Sequence, residues 1–260
     1  MSDRLTIVKV GGKVVEEPES LKAFIKDFAS IAGQKILVHG GGRSATAIAE
    51  KLGIETKMVD GRRITDNEML NVVVMVYGGL VNKNIVAQLQ ALNKQAIGVT
   101  GADLDLVRAV KRPVKEIDYG CVGDVKAVNS QQLEELIKNG VIPVVAPLTH
   151  DGQGQMLNTN ADTMAAELAK AFAQNFRVQL VYCFEKKGVL HNPEDDNAVI
   201  ANLTHNAFEE HKASGVINDG MIPKLDNGFS SLKQGVAGVV ITNIDGLKSG
   251  FSSGTTLSLE

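Results

Sequence analysis

Lys9 stands inside the apolar run "LTIVKV", just ahead of Gly11 and Gly12. An ammonium group is costly to bury alone. Lys9 is therefore either a working cation paired with a carboxylate or a strand-end lysine whose head reaches solvent. Asn158, Asn160 and Asp162 crowd "LNTNADTM" immediately before a helical run. One such side chain would cap the helix, and three are more than a cap needs. Lys224 closes "INDGMIPK", which reads as a Gly- and Pro-marked loop, where the plain alternative is a solvated lysine. Two cations and a carboxylate suit a reaction that gathers negative charge and needs it stabilised. Nucleophilic chemistry has less support: none of the five His stands in a triad-like setting, and Cys121 and Cys183 have no CxxC or metal-ligand spacing.

Two glycine turns follow apolar runs, "VKVGGK" with Gly11 and Gly12, and "ILVHGGGRS" with Gly40, Gly41 and Gly42. Bare amides at a helix start, the helix dipole and the absence of side chains together admit phosphate or carboxylate oxygens. Neither turn is a GxxxxGK[ST] loop, and "GGGRSA" fails the GxGxxG dinucleotide pattern. Each alone is equally a tight turn. Two at the ends of early strands favour a ligand site, because ligands of open α/β sheets collect there.

The elements that would position these residues alternate. Strands are expected at 5–10, in "KILVH", "QAIGVTG", "VIPVVAPL", "RVQLVYCF" and "AGVVIT"; the unbroken apolar character of "KILVH" and "VIPVVAPL" marks burial on both faces. Helices are expected from "PESLKAFIKDFASIAG", at 44–52, 131–139 and 161–173, near 207–211 and at 223–232. Thr65 and Glu68 have capping-box spacing and would open a helix over 66–92 that is apolar almost all round, with Gly78 and Gly79 bending it. The 103–125 stretch reads as a polar, basic hairpin, and "HDGQGQML" as a turn. The sum is an α/β fold, a three-layer αβα sandwich around a mainly parallel sheet. The weakest boundary lies near Gln174.

Composition narrows the partners. The 260 residues are 44% hydrophobic and 22% charged, ordinary globular material. A net charge of −3 with no Trp gives no case for nucleic acid. No apolar run approaches the roughly 18 residues of a membrane span, and Lys9 interrupts any signal-peptide core. A cytoplasmic protein with reduced thiols and no membrane partner is expected.

The motifs "VKVGG", "VHGGG", "DGRRITD", "LNTNADTMAAELA", "NDGMIPK" and "SGTTL", in this order and spacing, resemble the N-acetylglutamate kinases of the amino acid kinase superfamily. The resemblance covers essentially the whole chain. It implies a sheet of about eight strands, with residues 1–175 binding an N-acylglutamate and 176–260 binding ATP on one continuous sheet. It implies phosphorylation of a side-chain carboxylate to an acyl phosphate, in arginine biosynthesis. Lys9 and Lys224 resemble the lysines that stabilise the transferring phosphoryl group, and Asp162 the carboxylate that orients both. Gly11, Gly12, Gly41 and Gly42 resemble the turns that meet phosphate and substrate oxygens. Arg63 and Asn158 resemble the clamp on the substrate's carboxylate and amide end, with Asn160 beside them. Mg²⁺ would ride on the nucleotide phosphates, with no dedicated protein ligands.

Two departures stand out. "CFEKKGVL" puts Glu185 where relatives have Asp, ahead of Lys186, Lys187 and Gly188, in the segment expected to hold nucleotide. Arg62 replaces the Leu or Met usual beside the clamp arginine. On an alternating strand Arg63 points inward and Arg62 outward. An inward Arg62 would instead suit an acidic acyl group such as succinyl. The apolar 66–92 helix offers a homodimer interface. Another kinase of the superfamily and a non-catalytic sensor of the same fold are the competing readings.

Overall fold

The computed structural model describes residues 3–59, 62–192, 194–217 and 220–260. Its main sheet has eight strands, ordered Asn202–Thr204, Thr255–Ser258, Gly238–Thr242, Arg177–Cys183, Arg4–Val10, Gln34–His39, Ile142–Val145 and Ala96–Val99. The last six run parallel; Thr255–Ser258 reverses against Gly238–Thr242 and carries Asn202–Thr204 parallel to itself. This is the expected sandwich, extended at one end by two short strands that apolar runs did not announce.

Alternation along the first strand distributes its side chains. Leu5 and Ile7 enter the core beneath the helices Ala161–Phe172, Ile222–Lys233 and Gln131–Lys138. Val8 and Val10 enter the opposite core, beneath Pro18–Ser30, Gly42–Lys51 and the helix that begins at Asn67. Lys9 has the parity of Leu5 and Ile7, so it faces the Ala161–Phe172 helix that carries Asp162. The neighbouring strands Arg4–Val10 and Arg177–Cys183 send the chain in opposite directions, the first toward Gln34–His39 and the second toward Asn202–Thr204 and Gly238–Thr242. The crevice at such a switch point is where α/β sheets bind ligands.

The helix over Asn67–Ala91 departs from expectation in three ways. Its N-cap is Asp66, whose carboxylate accepts from the Met69 amide at 2.8 Å, not Thr65. The irregularity expected at Gly78 and Gly79 takes the form of a π-helical segment, Val74–Val81. With 25 residues and a most apolar window of mean hydropathy 1.4, it is long and apolar enough to cross a membrane, but half of that window is buried in the protein core.

A second sheet closes one side of the crevice, ordered Met156–Asn158, Leu148–His150, Val107–Lys111 and Gly123–Val128. The basic hairpin supplies the last two strands, and the "HDGQGQML" turn joins the first two as an antiparallel pair.

Candidate active site

The crevice holds one buried carboxylate between two ammonium groups. Lys9 Nζ lies 2.8 Å from Asp162 Oδ1, and Lys224 Nζ lies 3.3 Å from Asp162 Oδ2. Burial alone would raise the Asp162 carboxyl, but the charges of Lys9 and Lys224 outweigh it and hold it below the usual carboxylate range. Lys224 is not on a loop: it occupies the first turn of Ile222–Lys233 and also donates to the Gly220 carbonyl at 3.2 Å. Asn160 is the cap that positions Asp162, its Oδ1 accepting from the Asp162 and Thr163 amides at 2.9 and 3.0 Å.

Two cavities meet at this bridge. The larger, about 820 Å³, is lined by Lys9, both glycine turns, Arg62, Arg63 and the Asn158–Asn160 stretch. The other, about 630 Å³, lies between the "FEKKG" segment and Lys224, with Gly188, Leu190 and Met221 in its wall.

The glycine turns touch one another: the Gly40 amide donates to the Val10 carbonyl at 2.8 Å, and a Cβ on Gly40 would meet Gly11 Cα at 3.4 Å. Gly41 has φ +155°, and a Cβ there would press the Tyr77 ring at 3.0 Å. Glycine at these two positions is thus demanded by protein neighbours as well as by ligand. Gly42 starts the Gly42–Lys51 helix with room around it.

Arg63 is buried, its Nη2 donating to the Gly42 carbonyl at 2.8 Å and to Thr46 Oγ1 at 2.9 Å. Its Nη1 is buried with no hydrogen-bond partner among the described residues. Asn158 Nδ2 donates to Thr65 Oγ1 at 3.0 Å. An orphaned guanidinium nitrogen beside a fixed amide fits a ligand carboxylate. Burial raises the Tyr77 phenol and the neighbouring Arg63 charge opposes the rise. Tyr77 comes from the π segment, which is how a core helix presents a side chain to the site.

Arg62 is exposed, on the strand Arg62–Arg63 paired with Met58–Val59, at the rim where the larger cavity adjoins a basic side chamber. The two cavities share Arg62 and Arg112. Arg112 Nε donates to Asp124 Oδ1 at 3.0 Å, its guanidinium lies 5.3 Å from the Tyr119 ring centroid, and its Nη1 is buried without a partner among the described residues. Sequence reasoning passed over Arg112 and Tyr77. A basic hairpin was visible, but nothing local marks which of its cations turns inward.

Of the residues expected to meet nucleotide, Gly188 and Lys224 line the smaller cavity, as does Lys186. Glu185 does not. Its Oε1 accepts from the Lys13 amide at 2.8 Å and lies 2.3 Å from where a Cβ on Gly12 would sit, so it closes over the first glycine turn. Gly11 and Gly12 line the larger cavity instead. Gly188 allows the close approach of Thr255 from "SGTTL", whose Oγ1 accepts from the Val189 amide at 2.8 Å. Among the described residues no three His, Cys, Asp or Glu side chains cluster to hold a metal.

Comparison with known proteins adds an independent line. Residues 4–243 match the model of the amino acid kinase family. The chain is similar to the acetylglutamate kinase of Bacteroides thetaiotaomicron, 62% identical over 95% of this chain and 96% of that one. It is also similar to the acetylglutamate kinase of Methanopyrus kandleri, 38% identical over 95% and 98%. Among solved structures, smu.665 from Streptococcus mutans UA159 superposes with a TM-score of 0.83 at 28% identity, covering 98% of this chain and 99% of that one. The carbamate kinase of Giardia lamblia bound to AMP-PNP superposes with 0.72 at 12% identity, covering 99% of both chains, a likeness of fold alone.

Proposed function

Since the chain belongs to the amino acid kinase family, we propose that it transfers the γ-phosphoryl group of ATP to the side-chain carboxylate of an N-acylated glutamate. The observation that carries this reading is the Lys9–Asp162–Lys224 bridge at the junction of two cavities, one edged by glycine amides and an arginine clamp. The high identity to acetylglutamate kinases supports it, with N-acetylglutamate as the acceptor and arginine biosynthesis as the setting.

The acceptor lies in the half formed by residues 1–175. Its α-carboxylate takes the free Nη1 of Arg63, its amide end meets Asn158, and its side-chain carboxylate reaches the glycine amides. The nucleotide lies in the half formed by 176–260, against Gly188 and Met221. Carboxylate and polyphosphate repel each other, and Lys9 and Lys224 approach from opposite sides to offset that repulsion. Asp162 holds both ammonium groups in place before substrates arrive. The carboxylate oxygen attacks phosphorus, ADP leaves, and no protein nucleophile takes part. When bound, Mg²⁺ rides on the phosphates, because Asp162 is already committed to the lysines.

A second reading is favoured by Arg112 and Arg62. With Arg63 assigned to the α-carboxylate, the orphaned Nη1 of Arg112 and the rim guanidinium of Arg62 bracket a basic chamber beyond it. N-succinyl-glutamate, with a third carboxylate, fits that chamber better than an acetyl methyl does. The protein works in the cytoplasm as a homodimer through the apolar helix, which exposes Met75 and Leu80; sedimentation velocity checks the dimer.

The test of the function is ADP release with N-acetylglutamate, N-succinyl-glutamate, glutamate, aspartate and carbamate as acceptors. Turnover confined to the N-acylated glutamates is expected. Turnover with free amino acids or carbamate, or with none of the acceptors, would overturn it.

A further inference from the structure

His39 is fully buried, directly before the second glycine turn, and the reaction just described does not use it. Asn82, at the end of the π segment, lies against it with Nδ2 3.1 Å from His39 Nε2. The orientation of that amide is fixed from two other sides. Nδ2 also donates to the Val144 carbonyl at 2.9 Å, and Oδ1 accepts from Lys83 Nζ at 3.1 Å. Lys83 is itself anchored on the Gly98 carbonyl at 2.8 Å. A Cβ on Gly98 would meet Asn82 Oδ1 at 1.8 Å, so the sheet leaves this amide its space.

These contacts determine where the imidazole proton sits. An amide NH₂ can only donate, so Nε2 must accept and the ring proton must be on Nδ1. Nδ1 lies 2.7 Å from the Gly40 carbonyl oxygen and donates to it. The Gly40 amide is already tied to Val10. Both ends of Gly40 are therefore held, its amide by the Val10 carbonyl and its carbonyl by the His39 ring. In a trans peptide the next N–H points opposite to the carbonyl, and the chain has no cis bonds among the described residues. With the Gly40 carbonyl turned inward to His39, the Gly41 amide is turned out. It has no acceptor among the described residues and lines the larger cavity.

We propose that His39 and Asn82 are positioning residues for phosphoryl transfer: Asn82 fixes His39 as its Nδ1–H tautomer, His39 clamps the Gly40 carbonyl, and the clamp aims the Gly41 amide at the reacting oxygens. An amide aimed in advance stabilises charge as it develops and needs no reorganisation during reaction. Burial lowers the imidazole to about 4, which keeps it neutral at working pH and agrees with the geometry. The adjacent Lys83 charge acts in the same direction.

The proposal rests on the kinase reading for its kinetic arm, but the tautomer can be tested without it. Long-range proton–nitrogen correlation spectra of the uniformly ¹⁵N-labelled protein at pH 7, with His39 assigned by its absence in His39→Asn, should show an Nδ1-protonated neutral ring. An Nε2-protonated ring or an imidazolium would overturn the proposal whatever the substrate. The kinetic arm compares two polar replacements. The amide nitrogen of His39→Asn can stand near Nδ1 and keep the donor to Gly40; that of His39→Gln reaches the Nε2 position and cannot. His39→Gln should lose about tenfold or more in kcat, with KM for ATP and acceptor within about threefold, while His39→Asn stays within about threefold of wild type. Equal loss in both variants, or unchanged kcat in His39→Gln, would overturn it.

Discussion

Replacing Asp162 by Asn keeps the shape of the side chain and removes its charge. The carboxylate now attracts Lys9 Nζ across 2.8 Å and Lys224 Nζ across 3.3 Å. At an effective dielectric of about 20 these attractions are worth about 6 and about 5 kcal/mol before solvation is counted. Desolvating the buried ions takes back several kcal/mol. The net loss on breaking such a bridge is therefore about 3–5 kcal/mol, because two poorly solvated ammonium groups lose their counter-charge. Urea unfolding at pH 7 should show that loss without nucleotide. A nonhydrolysable ATP analogue should return part of it, since its phosphates can replace the missing anion, and should raise the variant's midpoint more than the wild type's. In steady-state assay kcat should fall about a hundredfold, as two catalytic cations lose their common anchor. A stability loss below about 1 kcal/mol, or kcat within about threefold of wild type, would refute the assignment of Asp162 as the organiser of the site.

Lys224→Ala should lower kcat about a hundredfold with a smaller effect on KM, read by the same ADP-release assay. Arg112→Met and Arg62→Leu should each lower the ratio of kcat/KM for N-succinyl- over N-acetyl-glutamate by about tenfold, as a charged hydrogen bond to the extra carboxylate is lost. Buried His39 stays neutral down to about pH 4, whereas in the unfolded chain it takes up a proton near about pH 6.5. Its contribution therefore leaves stability unchanged above that value and lowers it as pH falls from about 6.5 toward 4, by about 3 kcal/mol in all. Urea midpoints across this window should decline less in His39→Asn.

Most of the frame was legible because it rests on local pattern. The apolar runs around Ile7, Leu37 and Val181 announced strands, and Lys9 announced itself by interrupting the first of them. The short strands Asn202–Thr204 and Thr255–Ser258 were not legible, since three or four residues carry too little periodicity. Thr65 read as a helix cap because it stands at capping-box spacing from Glu68. Tertiary contact decided the matter, giving Asp66 the cap and Thr65 to Asn158. The π segment that brings Tyr77 and Asn82 to the glycine turn has no sequence signature beyond its paired glycines. Arg112 became a site residue only when a hairpin more than 40 positions from Arg63 folded across the crevice. Glu185, read as a nucleotide ligand, proved to be turned toward the Lys13 amide, a choice made by space at Gly12.

The central claim, transfer of phosphoryl to a side-chain carboxylate, is tested most directly by trapping its product. Acyl phosphates react with hydroxylamine to give stable hydroxamates, which mass spectrometry identifies with the position of modification. With ATP, Mg²⁺, hydroxylamine and either N-acetyl- or N-succinyl-glutamate, the protein should form the γ-hydroxamate of the acylated glutamate in step with ADP, and Asp162→Asn should form it about a hundredfold more slowly. ADP release with no hydroxamate, or a hydroxamate formed only from unacylated glutamate or aspartate, would contradict the account.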